Sequence, residues 1–214
     1  MTNTTTHKTN RRLGRRMLVV MALGAAALMA IPATGFAAAK FGANLHTSSG
    51  TVTQPANSSP AHYCDPIPGD PCTRVAIAFG DTGAINGNVR APKDGVIDKI
   101  KLVAGTVGHF RLQLAKVKDL NQGTGKAKVV EQGPKISHGS SVQGLGYKIQ
   151  TIDVNVPVQK GEYLAMKSKR TSVLKCQSGS TEQLLFQPPL HLGDPFQPNE
   201  SDDDCTMLLQ AVYE

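Results

Sequence analysis

The stretch TIDVNVPV, residues 151–158, constrains the fold class more than any other part of the chain. Ile152, Val154, Val156 and Val158 alternate with Asp153, Asn155 and Pro157. Successive side chains of a strand point to opposite faces. This spacing therefore sends one apolar row into a core and one polar row into water, as in an antiparallel sheet. Pro157 has no amide hydrogen to give to a ladder, which puts its strand at a sheet edge or beside a bulge. The alternation recurs in DKIKLVA, residues 98–104, where Ile100 and Leu102 alternate with Lys99 and Lys101. It recurs again in HFRLQLA, residues 109–115, where Phe110, Leu112 and Leu114 alternate with Arg111 and Gln113.

Shorter strand candidates lie at 74–79, 162–167, 172–176 and 183–186, and a last one falls in TMLLQAVYE, 206–214. Between the runs sit Asn86-Gly87, Lys93-Asp94-Gly95, Gly105, Gly123-Thr124-Gly125, Gly144-Leu145-Gly146 and Lys160-Gly161, all turn formers. No stretch after residue 40 carries a helical apolar period. About eight to ten short strands in roughly 140 residues predict an all-β fold: an antiparallel β-sandwich, jelly-roll-like.

The first forty residues have a different character. Lys8, Arg11, Arg12, Arg15 and Arg16 precede an apolar run over 17–31, Pro32 interrupts it, and Ala37, Ala38 and Ala39 supply small residues for a signal peptidase. The expectation is an export signal over 1–39, with Arg15-Arg16 a possible twin-arginine pair and cleavage after Ala39. The Sec route and an uncleaved anchor over 17–39 are the alternatives. The apolar run is short against the roughly 20 residues of a bilayer span. Setting this segment aside matters for the net charge of +7. From Lys40 onward there are 18 Lys and Arg against 16 Asp and Glu. A nucleic-acid partner, which calls for clustered positive charge, is therefore not expected. Nor is a membrane span after cleavage. The expected location is extracellular or in the cell envelope, with an unknown extracellular partner.

Residues 40–60, KFGANLHTSSGTVTQPANSSP, are small and polar and read as a flexible tether. The folded domain is then expected over 61–214, opening on the turn-rich CDPIPGDPC, residues 64–72. The four cysteines, Cys64, Cys72, Cys176 and Cys205, all follow the signal, and four cysteines allow three pairings. Proximity favours Cys64 with Cys72 and Cys176 with Cys205, the latter contributing about 3 kcal/mol through a long closed loop. A zinc site is the rival reading. No C-x-x-C pair exists, and only His62 stands near a cysteine.

The segments VRAPKDGVIDKIKL, VPVQKGEYLAM and LLQAVYE resemble recurring segments of uncharacterised secreted β-sandwich proteins from actinobacteria. In those chains a P-x-D-G-V turn starts a strand, a V-x-x-G-[DE] turn joins two core strands, and an apolar strand closes the domain. The resemblance covers about 73–214 and implies a sandwich; it implies no catalytic residues.

Chemistry is sparse. No Gly-x-Ser-x-Gly motif is present. His138 stands near Ser140 and Ser141, and His109 precedes a strand, so a hydrolase would have to build on one of these. A polar loop is the plainer reading. His46, His62 and His191 fall in the tether or in loops. Asp98, Asp153 and Glu162 are the carboxylates on or beside strands that a glycosidase would need to bring face to face. The acidic run NESDDDC holds Asp202, Asp203 and Asp204, and Asp194 is nearby. These are the oxygen ligands of a candidate calcium site in a loop, against the alternative of a solvated acidic loop. A sugar platform built on aromatic faces is disfavoured, because the chain has no Trp and only Tyr63, Tyr147, Tyr163 and Tyr213. No cofactor is expected. The leading reading is a secreted, non-enzymatic interaction or structural module. A carbohydrate- or calcium-dependent binding module and an extracellular hydrolase are the alternatives.

Overall fold

The computed structural model describes residues 38–45, 51–52, 70–77, 88–121, 123–143, 146–169, 174 and 176–213; of these, 51–52, 146, 176–182 and 204–205 are placed by backbone alone. All lie within one compact unit, Phe36–Glu214. Arg15, Arg16, Ala37, Cys64 and most of the 40–60 segment lie outside the described residues.

The strands are β1 (Ala39–Gly42), β2 (Thr51–Val52), β3 (Cys72–Ala76), β4 (Gly95–Leu102), β5 (Gly108–Asn121), β6 (Thr124–His138) and β7 (Val142–Gln143). They continue with β8 (Gly146–Lys148), β9 (Gln150–Val158), β10 (Tyr163–Ser168), β11 (Cys176–Phe186), β12 (Gln197–Pro198), β13 (Ser201–Met207) and β14 (Leu209–Tyr213). The sheets run β1-β14-β4-β9, β12-β6-β5-β10-β3-β11-β13 and, as a small third, β2-β8-β7. The protein is an antiparallel β-sandwich. If β1, β3, β4, β5, β6, β9, β10 and β14 are numbered one to eight, the two large sheets contain the orders 1-8-3-6 and 5-4-7-2. This is the jelly-roll arrangement.

The alternation explains the layers. On β9 the even residues turn inward, Val156 and Val158 fully so, while Asp153, Asn155 and Pro157 are exposed. β9 is an edge strand, which accommodates the missing donor at Pro157. Between the sheets lies a core of Ile97, Ile100 and Leu102 from β4, Phe110, Leu112 and Leu114 from β5, and Leu164 and Met166 from β10. Phe41 of β1 and Tyr213 of β14 complete it, stacked edge to face at 5.7 Å.

β11, β12 and β13 are an excursion inserted before the last strand. β11 and β13 extend the sheet beyond β3, whereas the connecting segment crosses to the other edge and pairs β12 with β6 at Ala127 and Lys126. It seals a second core on the outer face: Val75, Ile77, Ala115, Ala127, Val129, Tyr163, Ala165, Leu184, Phe186 and Leu190. Leu190 is held beneath by two bonds. Its amide donates to Thr73 Oγ1 at 3.1 Å, and its carbonyl accepts from Gln113 Nε2 at 3.3 Å. Asn199 ties the return: its Oδ1 accepts from Gly125 N, and its Nδ2 donates to the carbonyls of Gly123 and Ser201. Gly123, at φ +77, turns the β5–β6 hairpin where an added Cβ would collide with the Asp202 carboxylate.

Two expectations from the sequence are corrected. The 40–60 tether does not begin at Lys40. Residues 39–42 form β1, in register with Tyr213, Val212, Ala211 and Gln210, and Phe41 is wholly buried. A single aromatic among small polar residues gives no period to read, yet it fills the core beside Tyr213. Nor is the acidic run a loop. Asp202 and Asp203 lie on β13, opposite Leu184 and Gln183 of β11.

Candidate functional site

At one end of the sandwich, where β5 begins and β6 ends, the sheets part around an open cleft of about 1000 Å³. Its walls come from β5 and β6 on one side, with His109, Ser137 and His138, and from Lys148 and 150–152 on the other. The antiparallel register brings the two histidines together, since Gly108 pairs with His138 and His109 with Ser137. Adjacent register positions on opposite strands face opposite sides of the sheet. His138 accordingly turns inward, its ring 6.1 Å from Phe110, while His109 is exposed.

The loop after β6 is pinned by Gln150. Its Oε1 accepts from Gly139 N at 3.1 Å, and its Nε2 donates to Gly139 O and Ser141 Oγ, both at 2.8 Å. The buried Ser141 Oγ also accepts from Ala104 N at 2.9 Å. Ser140 Oγ donates to Gly105 O and accepts from Val142 N. Both hydroxyls thus brace the backbone.

His138 is 5% exposed. Its Nδ1 lies 3.1 Å from the Gly139 carbonyl, which can only accept, so the ring proton sits on Nδ1 and Nε2 is a bare acceptor. Nε2 is buried and has no hydrogen-bond partner among the described residues. Burial holds the His138 pKa below the ordinary histidine value; the bond to Gly139 works against this, and the neighbouring His109 adds to it. The arrangement offers hydrogen bonds from histidine, serine, threonine, glutamine and lysine side chains, with Val107 and Ile152 as apolar contacts. Among the described residues the cleft walls carry no carboxylate that could orient either histidine as the base of a serine nucleophile.

The other candidates disperse. Asp153 is exposed on β9, across from Lys99. Glu162 is buried at the β9–β10 turn, where its Oε2 accepts from Gln159 N at 2.9 Å and burial raises its pKa. Asp203 lies 3.6 Å from Arg74, a buried arginine whose pKa burial lowers. Asp194 closes its own turn by accepting from His191 N and Gln197 Nε2. Asp194 and Asp203 therefore engage separate partners rather than a common site. Among the described residues no three His, Cys, Asp or Glu side chains are grouped to hold a metal ion. Tyr163 and Tyr213 are core residues and present no sugar platform.

Sequence reasoning picked out His109 and His138 but missed Gln150 and Lys148. Gln150 stands one residue before a clear alternation, and nothing local marks it as a clamp. No known protein family, no curated protein and no solved structure matches the chain. Among the described residues no helix is long and apolar enough to cross a membrane.

Proposed function

We propose that the protein is exported and works outside the cytoplasm as a non-enzymatic interaction module, holding its partner at the open end of the sandwich. The observation that carries this reading is the cleft: a wide groove between strands, rich in hydrogen-bonding side chains. An open polar groove on a rigid sheet suits recognition of an extended ligand. Export is supported by Arg15-Arg16, the apolar run and Ala37 to Ala39, and by the likeness to secreted actinobacterial sandwiches. Cleavage after Ala39 would leave Lys40, Phe41 and Gly42 in register with β14.

The cysteine pairing belongs to the same reading. Cys72 is buried. Thr73 pairs with Phe186, whereas Cys205 lies opposite Ser178 and Cys176 opposite Met207. At about 3.3 Å per residue, these two lie roughly 25 Å along β11 from Cys72, against a disulfide reach of about 7 Å between Cα atoms. The distance along the sheet favours Cys64 as the partner of Cys72; Cys176 and Cys205, diagonal neighbours two positions out of register, are then paired by elimination alone.

Expression with the native N-terminus in a bacterial host, followed by fractionation and intact-mass measurement, tests the reading. The expected product lies outside the cytoplasm, lacks 1–39 and lacks the hydrogens of two disulfides. A full-length cytoplasmic chain with free thiols would contradict it.

A further inference from the structure

The β5–β6 hairpin and its neighbour β10 carry cations that face one another in two places. Near the hairpin tip Lys116 pairs with Lys128 and Lys118 with Lys126. Near its base Arg111 lies between Lys135 of β6 and Lys167 of β10, a row of three across adjacent strands. Like charges placed directly opposite one another destabilise a sheet.

At the tip one lysine is neutralised and the others find polar or aromatic partners. Lys126 Nζ lies 3.0 Å from Asp119, Lys116 donates to Gln159, and Lys118 and Lys128 sit 4.4 and 5.0 Å from the centre of the Phe196 ring. The base row has no such relief. Arg111 donates to the Gly133 carbonyl at 3.3 Å, and among the described residues none of the three cations has a carboxylate in salt-bridge range. Asp194 makes itself felt at Lys167 only from a distance, and its oxygen is engaged in its own turn.

The row adjoins the cleft. His109 and Ser137 lie two residues along β5 and β6 from Arg111 and Lys135, with no bulge between, so all four project from the same outer face. Lys135 and His109 are exposed, and Arg111 and Lys167 partly so. Strands stand about 4.8 Å apart, so the three cations span roughly 10 Å of open surface. The planar guanidinium at the centre matches a carboxylate bidentately. Beside it the cleft provides neutral donors and acceptors suited to hydroxyl groups. His138 Nε2 is a buried acceptor with no donor among the described residues.

We propose that this surface binds an acidic polysaccharide, its carboxylates on Lys135, Arg111 and Lys167 and its sugar hydroxyls in the adjoining cleft. The inference rests on the reading of the protein as an extracytoplasmic interaction module and names its partner by chemistry.

The test is calorimetric titration of the oxidised full chain with a galacturonate oligomer, a neutral dextran oligomer and poly(glycerol phosphate). Galacturonate binds, more weakly as salt rises, and dextran does not. R111Q/K135Q loses at least about tenfold in affinity, as expected when charge-assisted hydrogen bonds are removed. K99Q/K101Q, which takes the same charge from the other sheet, stays close to wild type. Failure to bind galacturonate, a preference for poly(glycerol phosphate), or equal losses in both double variants would overturn the proposal. Thermal melts accompany each variant, and a lower melting temperature for R111Q/K135Q would show the row to be structural and also overturn it. Fractionation keeps the two readings apart. An exported chain that ignores galacturonate refutes this inference alone, and a galacturonate-binding chain held in the cytoplasm refutes the proposed function alone.

Discussion

Along β5, Ala115 and Val117 belong to a part of the outer sheet face that is closed off, while Arg111 and His109, on the same side of the same strand, belong to a part left open. The closed part is apolar and lies beneath Leu190 and the segment leading to β12. The open part is cationic and borders the cleft. One strand thus switches from an apolar to a polar outward row without changing its inward row of Phe110, Leu112 and Leu114. The difference separates two uses of one surface. Where the chain can cover its outer face it gains a second core, and where it does not it carries like charges set side by side.

The largest break in this comparison comes from the covered side. Phe186→Ala opens a cavity under the excursion and is expected to cost about 3–5 kcal/mol, read as a lower thermal midpoint. Asn199→Ala leaves the second core chemically intact but removes the side-chain bonds to Gly125, Gly123 and Ser201. A loss of roughly 1–3 kcal/mol in denaturant unfolding is expected, because the amide of Gly125 loses its partner. If both substitutions leave stability unchanged, the excursion is not a lid on a core.

On the open side the effects are smaller and of another kind. His138 has a folded pKa below its unfolded value of about 6.5. Above that value both states are neutral. Below it the unfolded chain takes up a proton that the folded chain resists, so stability falls as pH drops from about 6.5 toward the folded pKa. Thermal melts between pH 7 and about 5.5 should show this decline, and His138→Gln should flatten it. Glu162 has the opposite sign. Its raised pKa makes stability fall as pH rises through the folded carboxyl's titration.

How much of this was legible in the sequence follows from the same contrast. The inner rows of β4, β5 and β9 announce themselves, because alternation is a local signal and both Pro157 and the turn glycines agree with it. β6 does not. It is the longest strand, yet register shifts between Arg111 and Gln113 and again between Leu114 and Ala115 interrupt its alternation in Thr124–His138. β1 rests on its pairing with β14 and on the packing of Phe41 against Tyr213, partners far away in sequence. The acidic run looks like a loop because Asp is depleted in strands, and only pairing with β11 makes it one. The histidines were visible as residue types. The row Lys135–Arg111–Lys167 was not, since it exists only once three strands are laid side by side.

The claim that the open row is kept against the interest of folding is the one most directly exposed to measurement. At low ionic strength, thermal unfolding of Lys135→Gln should give a midpoint above wild type. The gain should be no more than about 4 °C, from a cross-strand repulsion of roughly 0.2–1 kcal/mol. Lys126→Gln, at the tip lysine neutralised by Asp119, should give no rise. A midpoint for Lys135→Gln below wild type would contradict the account, because the lysine would then be stabilising the sheet it faces.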